Sequence, residues 1–269
     1  MRHLRRRAYG EIVQVWTTPP DEHAPLVHLN HKSFPQFTGS PLPTPTVGDV
    51  ALAFVSGFGG GTTIGGLIGA VAGFMIGGVA EAALLAMVLA GIIGCAGLYF
   101  ALIRRRRWSL SDLGFRSPPA HSLLHLLWQV PLLMLLAVLA TAGIGALLDV
   151  APDGNQNAIV KDAVEIGPAS IAAILVLIAG VVPLIEEIVF RRILLDWLRS
   201  KMPTAVSAAL VTIVFALCHI APPAMLYILF LGTGLVALRL WYRSLWAPLI
   251  LHAFNNAVVS SIAIAVVLT

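Results

Sequence analysis

Long apolar blocks alternate with short polar segments along most of the chain. Apolar sequence runs almost unbroken from Val50 to Ile103, and five further apolar blocks follow it, at about 121–148, 168–198, 204–220, 224–241 and 246–268. Crossing a bilayer takes about 20 apolar residues. The first block is therefore long enough for two helices, and each later block supplies one. This pattern predicts an all-α, polytopic transmembrane bundle of seven spans, or eight if one block holds a re-entrant pair.

The composition agrees with a membrane protein. Hydrophobic residues make up 58% of the chain and charged residues only 11%, whereas a soluble domain carries about 25% charged residues. The two cysteines, Cys95 and Cys218, lie in apolar segments, so no disulfide framework is predicted. Basic residues are not interleaved with aromatic ones, which argues against nucleic acid as a partner. No apolar stretch follows the basic N-terminus in the way of a cleaved signal peptide.

The segment before the first block, residues 1–48, predicts a separate polar tail. It holds seven of the seventeen prolines, a composition typical of an extended or disordered segment. His23, His28 and His31 lie in it, but nothing in the pattern fixes their geometry as a metal site.

Residues 49–103 predict a two-span, glycine-rich extension. Its first span carries glycine at every fourth position, at Gly57, Gly61, Gly65, Gly69, Gly73 and Gly77. Small residues at this spacing line one helix face and let another backbone approach closely. The Gly57–Gly77 face fits packing within the chain, or a contact between two copies in a homo-oligomer. Glu81 is predicted to mark the turn between the two spans.

Four basic regions set the predicted orientation: the tail, Arg104–Arg107, Arg191–Lys201 and Arg239–Arg243. With seven spans all four fall on one side, and the positive-inside rule places that side in the cytosol. The N-terminus is therefore expected in the cytosol and the C-terminus on the opposite side. Two histidines at the start of the third span are predicted to be interfacial, His121 and His125.

The stretch VVPLIEEIVFRR (181–192) places four charges inside an apolar block, where each costs roughly 2.5–3.5 kcal/mol at the bilayer centre. Glu187 and Arg191 are four residues apart, so they share a helix face and can pair. Glu186 is turned about 100° away and has Phe190 four residues on, which leaves it free for chemistry. The charged residues at the end of this block are expected to snorkel toward the cytosolic interface: Arg192, Asp196 and Arg199.

Two later segments add polar residues at a spacing of four. FALCH holds Phe215 and His219, and HAFNN holds His252 and Asn256. A lone intramembrane histidine is often a satisfied interhelical hydrogen bond. Two glutamates, two histidines and an asparagine in the final third of one chain indicate a functional site.

The spacing about the break near Met202 and Pro203 supports one shared site. Glu186 lies sixteen residues before Met202, and His219 lies sixteen residues after Pro203. In an antiparallel helical hairpin the two side chains are then at similar depth and can face each other.

EEIVFR, FALCH and HAFNN resemble, in this order, the motifs EExxxR, FxxxH and HxxxN of the CPBP family. These are the CAAX-processing and bacteriocin-processing (Abi) intramembrane proteases, related to the Rce1-type prenyl-protein endopeptidases. The resemblance covers about residues 104–269, including the framing segments RRILLDWLRS and YRSLWAPLILHAFNN. It does not extend to the proline-rich tail, and Arg192 stands where many members have a small residue.

The resemblance implies an intramembrane endopeptidase that hydrolyses a peptide bond of a membrane-associated or lipidated protein, in contact with membrane lipid. It implies that Glu186 and His219 activate a water, with Glu186 as general base. His252 and Asn256 would then donate hydrogen bonds to the developing oxyanion. Three residues of the motifs would support this set: Glu187, Arg191 and Phe215.

Metal dependence and two other functions stay open. The family is commonly labelled a metalloprotease family, and zinc could take Glu186, His219 and His252 as three ligands. The chain has no HExxH, and an asparagine near the second histidine suits an oxyanion hole better, which favours a metal-free site. A non-catalytic immunity or scaffold protein could bind peptides in the same cavity. A proton-coupled transporter also uses intramembrane Glu and His, although no inverted repeat is visible.

Overall fold

The computed structural model describes residues 41–76, 78–118, 120–148, 158–219 and 222–269. These ranges contain helices, turns and coil and no strand, in agreement with the predicted all-α class. Most of the predicted tail, its three histidines and Gly77 lie outside the described residues.

The described ranges contain eight main helices: α1 Val47–Ile76, α2 Val79–Arg104, α3 His121–Leu147, α4 Ala158–Ile166, α5 Pro168–Arg199, α6 Thr204–Leu217, α7 Pro222–Tyr242 and α8 Trp246–Leu268. Six of them are long and apolar enough to cross a membrane, namely α1, α2, α3, α5, α7 and α8. The chain is thus a multi-pass integral membrane protein.

The predicted count of seven spans is not confirmed, and α6 is the reason. It has 14 residues, which at 1.5 Å per residue gives about 21 Å, short of a hydrocarbon core of about 30 Å. The apolar block at 204–220 was long enough in sequence, but the helix ends at Leu217. Arg239, near the end of α7, lies 2.9 Å from the carboxylate of Asp196, near the end of α5. The two helices therefore end on the same side of the bundle, so α6 runs in the opposite direction between them.

The glycine face of α1 packs within the chain. A Cβ atom built at Gly65 would lie 2.5 Å from the backbone nitrogen of Ala90 in α2, and one at Gly69 would lie 2.5 Å from Cα of Ala86. Because glycine has no side chain, the backbones of α1 and α2 can meet at these positions. This is the packing within the chain that the sequence offered as one of two interpretations of the glycine face. A contact between two copies through the same face stays a prediction. Glu81 lies in the first turn of α2, at the predicted junction.

Contacts at one end of the bundle bring the basic segments together. Asp49, whose carboxylate caps α1 with Thr46, is buried and pairs with Arg105 at 3.4 Å and Arg106 at 3.2 Å at the end of α2. The α7–α8 turn joins the same end, because the Ser244 hydroxyl donates to the carbonyl of Arg116. We call this the arginine end, defined by residues 104–116, 192–201 and 239–244. The sequence predicted that these segments share a side.

The expectation that Arg192 snorkels to the interface is wrong. Its side chain is fully buried, and its guanidinium lies 4.6 Å from the ring centre of Trp108. It donates to the carbonyls of Asp112 and Pro43 and pairs with Asp196 at 3.1 Å. The connector between α2 and α3 folds over the end of α5, so protein replaces the lipid interface around Arg192.

Candidate active site

The two glutamates of α5 lie inside the bundle. Glu187 is fully buried and Glu186 is 7% exposed, although both sit on a helix of high hydropathy. From Glu187 to Leu194 the helix widens to π-helical hydrogen bonding, a local feature that is frequent at functional sites. Burying two carboxylates in an apolar core is costly unless they are paired, so their partners decide what the site can do.

Glu187 and Arg191 form the predicted ion pair. Arg191 Nη1 lies 3.2 Å from Glu187 Oε1, and both side chains are fully buried. Within the described residues, no nitrogen of this guanidinium has a partner in good hydrogen-bond geometry. Its attraction to Glu187 is therefore mainly charge–charge, and it is supported by the Phe215 ring, whose centre lies 4.0 Å from the guanidinium carbon.

His252 of α8 lies between the two glutamates. Its Nδ1 is 2.9 Å from Glu187 Oε1, and its Nε2 is 3.4 Å from Glu186 Oε2. Because a carboxylate only accepts, Nδ1–H donates to Glu187 and fixes the orientation of the ring. Glu186, which the sequence predicted to be left free of an arginine, thus faces Nε2 of His252.

His219 stands at the end of α6, where its Nδ1–H donates to the carbonyl of Phe215 at 2.9 Å. This bond leaves Nε2 available. The Phe215 ring is fully buried and lies edge-on to both histidines, with centroid distances of 5.0 Å to His219 and 5.8 Å to His252. The motif phenylalanine therefore packs between the two histidines and under Arg191.

One cavity of about 950 Å³ is lined by five of the predicted site residues: Glu186, Phe215, His219, His252 and Asn256. The other two, Glu187 and Arg191, do not line it. Its other walls are mostly apolar and come from α3, α5, α7 and α8. The lining residues of α5 precede Glu186 and those of α8 follow His252. Since α5 runs toward the arginine end and α8 runs away from it, the cavity extends from the site away from the arginine end.

Sequence reasoning missed four further polar residues of the cavity, and two of them, Tyr227 and Asn255, are bonded to the site. The Tyr227 hydroxyl donates to Asn255 Oδ1, and Asn255 Nδ2 donates to Asn256 Oδ1 at 3.2 Å. Asn256 Nδ2 in turn donates to the carbonyl of Ile178 at 2.9 Å. This chain of bonds orients the Asn256 amide. The sequence held a sign of each residue. Asn255 is half of the doubled asparagine in HAFNN, and Tyr227 is a tyrosine within an apolar block.

The side chains of the site do not fit a three-ligand metal centre. Across the described ranges, no three or more His, Cys, Asp or Glu side chains are arranged to hold a metal ion. Glu186, His219 and His252 share the cavity but do not form a three-ligand set, so no chemical step is derived through zinc.

Residues 168–258, from α5 into α8, match the family model described as type II CAAX prenyl endopeptidase, Rce1-like. The matched region contains all three motifs, and it supports the assignment of the chain to the CPBP/CAAX protease family. Helices α1–α3 lie outside it. No curated protein matches the chain, and no solved structure matches it.

Proposed function

We propose that the chain is an intramembrane endopeptidase that hydrolyses a peptide bond of a membrane-associated protein or peptide. The observation that carries this proposal is the convergence of Glu186, His219 and His252 on one cavity inside a transmembrane bundle. These three side chains come from three different helices, so only the fold brings them together. The Rce1-like match over the same helices supports the reaction class.

In the proposed reaction Glu186 and His219 position a water in the cavity, and Glu186 takes its proton. The water oxygen bonds to the carbonyl carbon of the substrate, the carbon–nitrogen bond then breaks, and the departing amine receives the proton from Glu186. A positioned general base of this kind contributes roughly 10²–10⁴-fold to a rate. The walls around this set are mostly apolar, and electrostatic interactions are stronger in such surroundings than in water.

His252 and Asn256 are the proposed donors to the oxyanion. Asn256 uses one N–H on Ile178, and its amide has a second one to give. As an oxyanion donor, His252 would carry a second N–H in addition to the one that it gives to Glu187. His252 would then keep Nδ1–H on Glu187 and offer Nε2–H to the oxyanion, in a site where such donors are worth several kcal/mol.

The cavity suits an apolar or lipid-modified peptide segment. Its volume of about 950 Å³ lies at the upper end of the range for ligand pockets, roughly 300–1,000 Å³. Most of its lining is apolar, with few polar side chains. We propose that the arginine end faces the cytosol, by the positive-inside rule.

The experiment compares membranes of cells that produce wild type, Glu186→Gln or the matched control Glu165→Gln. Glu165 has an exposed side chain on α4 and does not line the cavity. New peptide termini are identified by mass spectrometry, and each protein is purified in detergent to check its thermal unfolding. We expect termini that depend on wild type and on the control and that vanish with Glu186→Gln, whose folding stays intact.

The same comparison separates the alternatives. A peptide-binding immunity or scaffold protein would capture peptides without creating termini, and a proton-coupled transporter would change proton flux instead. Identical termini in wild type and in a folded Glu186→Gln protein would rule out Glu186 as the base.

A further inference from the structure

A second, polar cavity of about 560 Å³ lies at the arginine end, away from the candidate active site. We call it the arginine cleft. Its walls are the segment Pro41–Thr44, the end of α5, the start of α6 and the end of α7. Five arginines line it: Arg116, Arg192, Arg199, Arg239 and Arg243.

In the described part of the chain, the cleft has one lining carboxylate for these five guanidinium groups. Asp196 pairs with Arg192 at 3.1 Å, with Arg239 at 2.9 Å and with Arg199 at 3.5 Å. The nearby Asp112 carboxylate does not line the cleft. Hydrogen bonds from the backbone and side chain of Ser109 lower the pKa of Asp112, so it is already stabilised as an anion elsewhere. Among the lining residues that the structure describes, arginines therefore outnumber carboxylates by four.

The base of the cleft is rigid. Arg192 is fully buried and Arg239 is 3% exposed. Arg192 is held by the carbonyls of Asp112 and Pro43, and Arg239 by the carbonyl of Arg191. Arg199 and Arg243 are exposed at its rim. Like charges held this close repel one another, and a bound anion relieves that repulsion. Arginine's planar fork matches the oxygens of a phosphate.

We propose that the arginine cleft binds a phosphate group, as carried by the headgroup of an anionic phospholipid or by free phosphate. The cleft lies at the ends of α5 and α7, two helices that are long and apolar enough to cross a membrane, and basic pockets between such helices bind lipid headgroups. A bound phosphate would tie Pro41–Thr44, which enters from the N-terminal tail, to α5 and α7. This site does not depend on the proposed protease function.

The experiment titrates the full-length protein in detergent with dioleoyl-phosphatidylglycerol, dioleoyl-phosphatidylcholine or inorganic phosphate. Binding is measured by native mass spectrometry and by the shift in thermal unfolding temperature. The test variant Arg199→Gln/Arg243→Gln removes the two rim charges and leaves the buried network in place. The control variant Arg104→Gln/Lys201→Gln removes two exposed charges from the same end that do not line the cleft.

We expect phosphatidylglycerol to bind wild type and the control alike, and to bind the rim variant about tenfold more weakly. Competition by millimolar phosphate would show that the cleft takes the free ion as well. Binding of phosphate alone would assign the site to the ion instead of the lipid. The proposal is overturned if neither phosphatidylglycerol nor phosphate binds, if phosphatidylcholine binds equally well, or if the control variant loses as much affinity as the rim variant.

Discussion

His252 Nδ1 lies 2.9 Å from Glu187 Oε1, across 65 residues of sequence. The same oxygen is the partner of Arg191 at 3.2 Å. Glu187 therefore joins a buried ion pair within α5 to the histidine that lines the cavity. The sequence predicted a structural role for Glu187, and the contact adds an orienting role toward His252.

Glu187→Gln is expected to lower both stability and activity. Removing one partner of a buried ion pair leaves an uncompensated charge and costs about 3–5 kcal/mol. The amide oxygen of the glutamine is a weaker acceptor than a carboxylate, so it holds the His252 ring less firmly. Arg191→Met should destabilise by a similar amount. The double variant Glu187→Gln/Arg191→Met should cost clearly less than the sum of the two single variants. Thermal unfolding in detergent measures all three.

The exposed pair of α4 provides the control for this cycle. Lys161 and Glu165 are 4.0 Å apart and more than half exposed, so Glu165→Gln should change stability by no more than about 0.5 kcal/mol. Additive single-variant effects at Glu187 and Arg191 would show that their contact contributes no coupling.

Asn256→Ala is expected to lower kcat by about 10²–10³-fold with little change in KM, as for other lost oxyanion donors. Tyr227→Phe removes only the bond that holds Asn255, so we expect a smaller fall in kcat, about tenfold, again with KM retained. Steady-state kinetics on a substrate found by terminus mapping measures both. A Tyr227→Phe protein that changes KM and leaves kcat alone would place Tyr227 in substrate binding instead.

The sequence predicted those parts of the site that depend on spacing along one helix or across one short turn. Glu187 and Arg191 pair as their four-residue separation requires. The sixteen-residue spacing about Met202 and Pro203 predicted that Glu186 and His219 lie at similar depth, and both line the same cavity. Contacts between helices that are distant in sequence could not be obtained in this way. The packing of α8 against α5, which sets His252 beside Glu187, depends on side-chain fit along both helices.

One prediction from the sequence was wrong and another was not confirmed, and each outcome has a local cause. Arg192 was expected at the lipid interface because it lies near the end of an apolar block, and sequence position shows nothing about what covers that end. In the structure, the connector that carries Trp108 covers Arg192. The seventh span was expected because 204–220 is continuously apolar. Hydropathy does not show that the helix there ends after 14 residues.

Gly65→Ala is expected to destabilise the α1–α2 pair by about 1–3 kcal/mol, because its Cβ would lie 2.5 Å from the backbone nitrogen of Ala90. Gly66 is the matched control, since a Cβ there meets no atom within 4 Å. Gly66→Ala should be neutral or slightly stabilising, as alanine favours helix more than glycine does. Equal unfolding temperatures for the two variants in detergent would contradict the packing of α2 against this glycine face.

The orientation is tested by labelling single cysteines in a background that lacks Cys95 and Cys218. We expect Ser109→Cys and Lys201→Cys, both exposed at the arginine end, to resist an impermeant maleimide until cells are lysed. Leu148→Cys, just after α3, should react in intact cells. Labelling of Ser109→Cys and Lys201→Cys on opposite sides would contradict the shared end, and labelling of both in intact cells would reverse the orientation.

Chelation is expected to leave activity unchanged. The described residues offer no three-ligand set, and Asn256, bound to Ile178, supplies an amide where zinc prefers His, Cys or carboxylate. Purified protein treated with EDTA and with 1,10-phenanthroline should keep its kcat within about twofold, a change of about 0.4 kcal/mol in the barrier, and its unfolding temperature should not move. Both histidines use Nδ1 on an acceptor and keep Nε2 for the cavity, an arrangement that also suits a metal ligand. Stoichiometric zinc that leaves together with activity, and restores it on return, would therefore make His252 a ligand instead of an oxyanion donor.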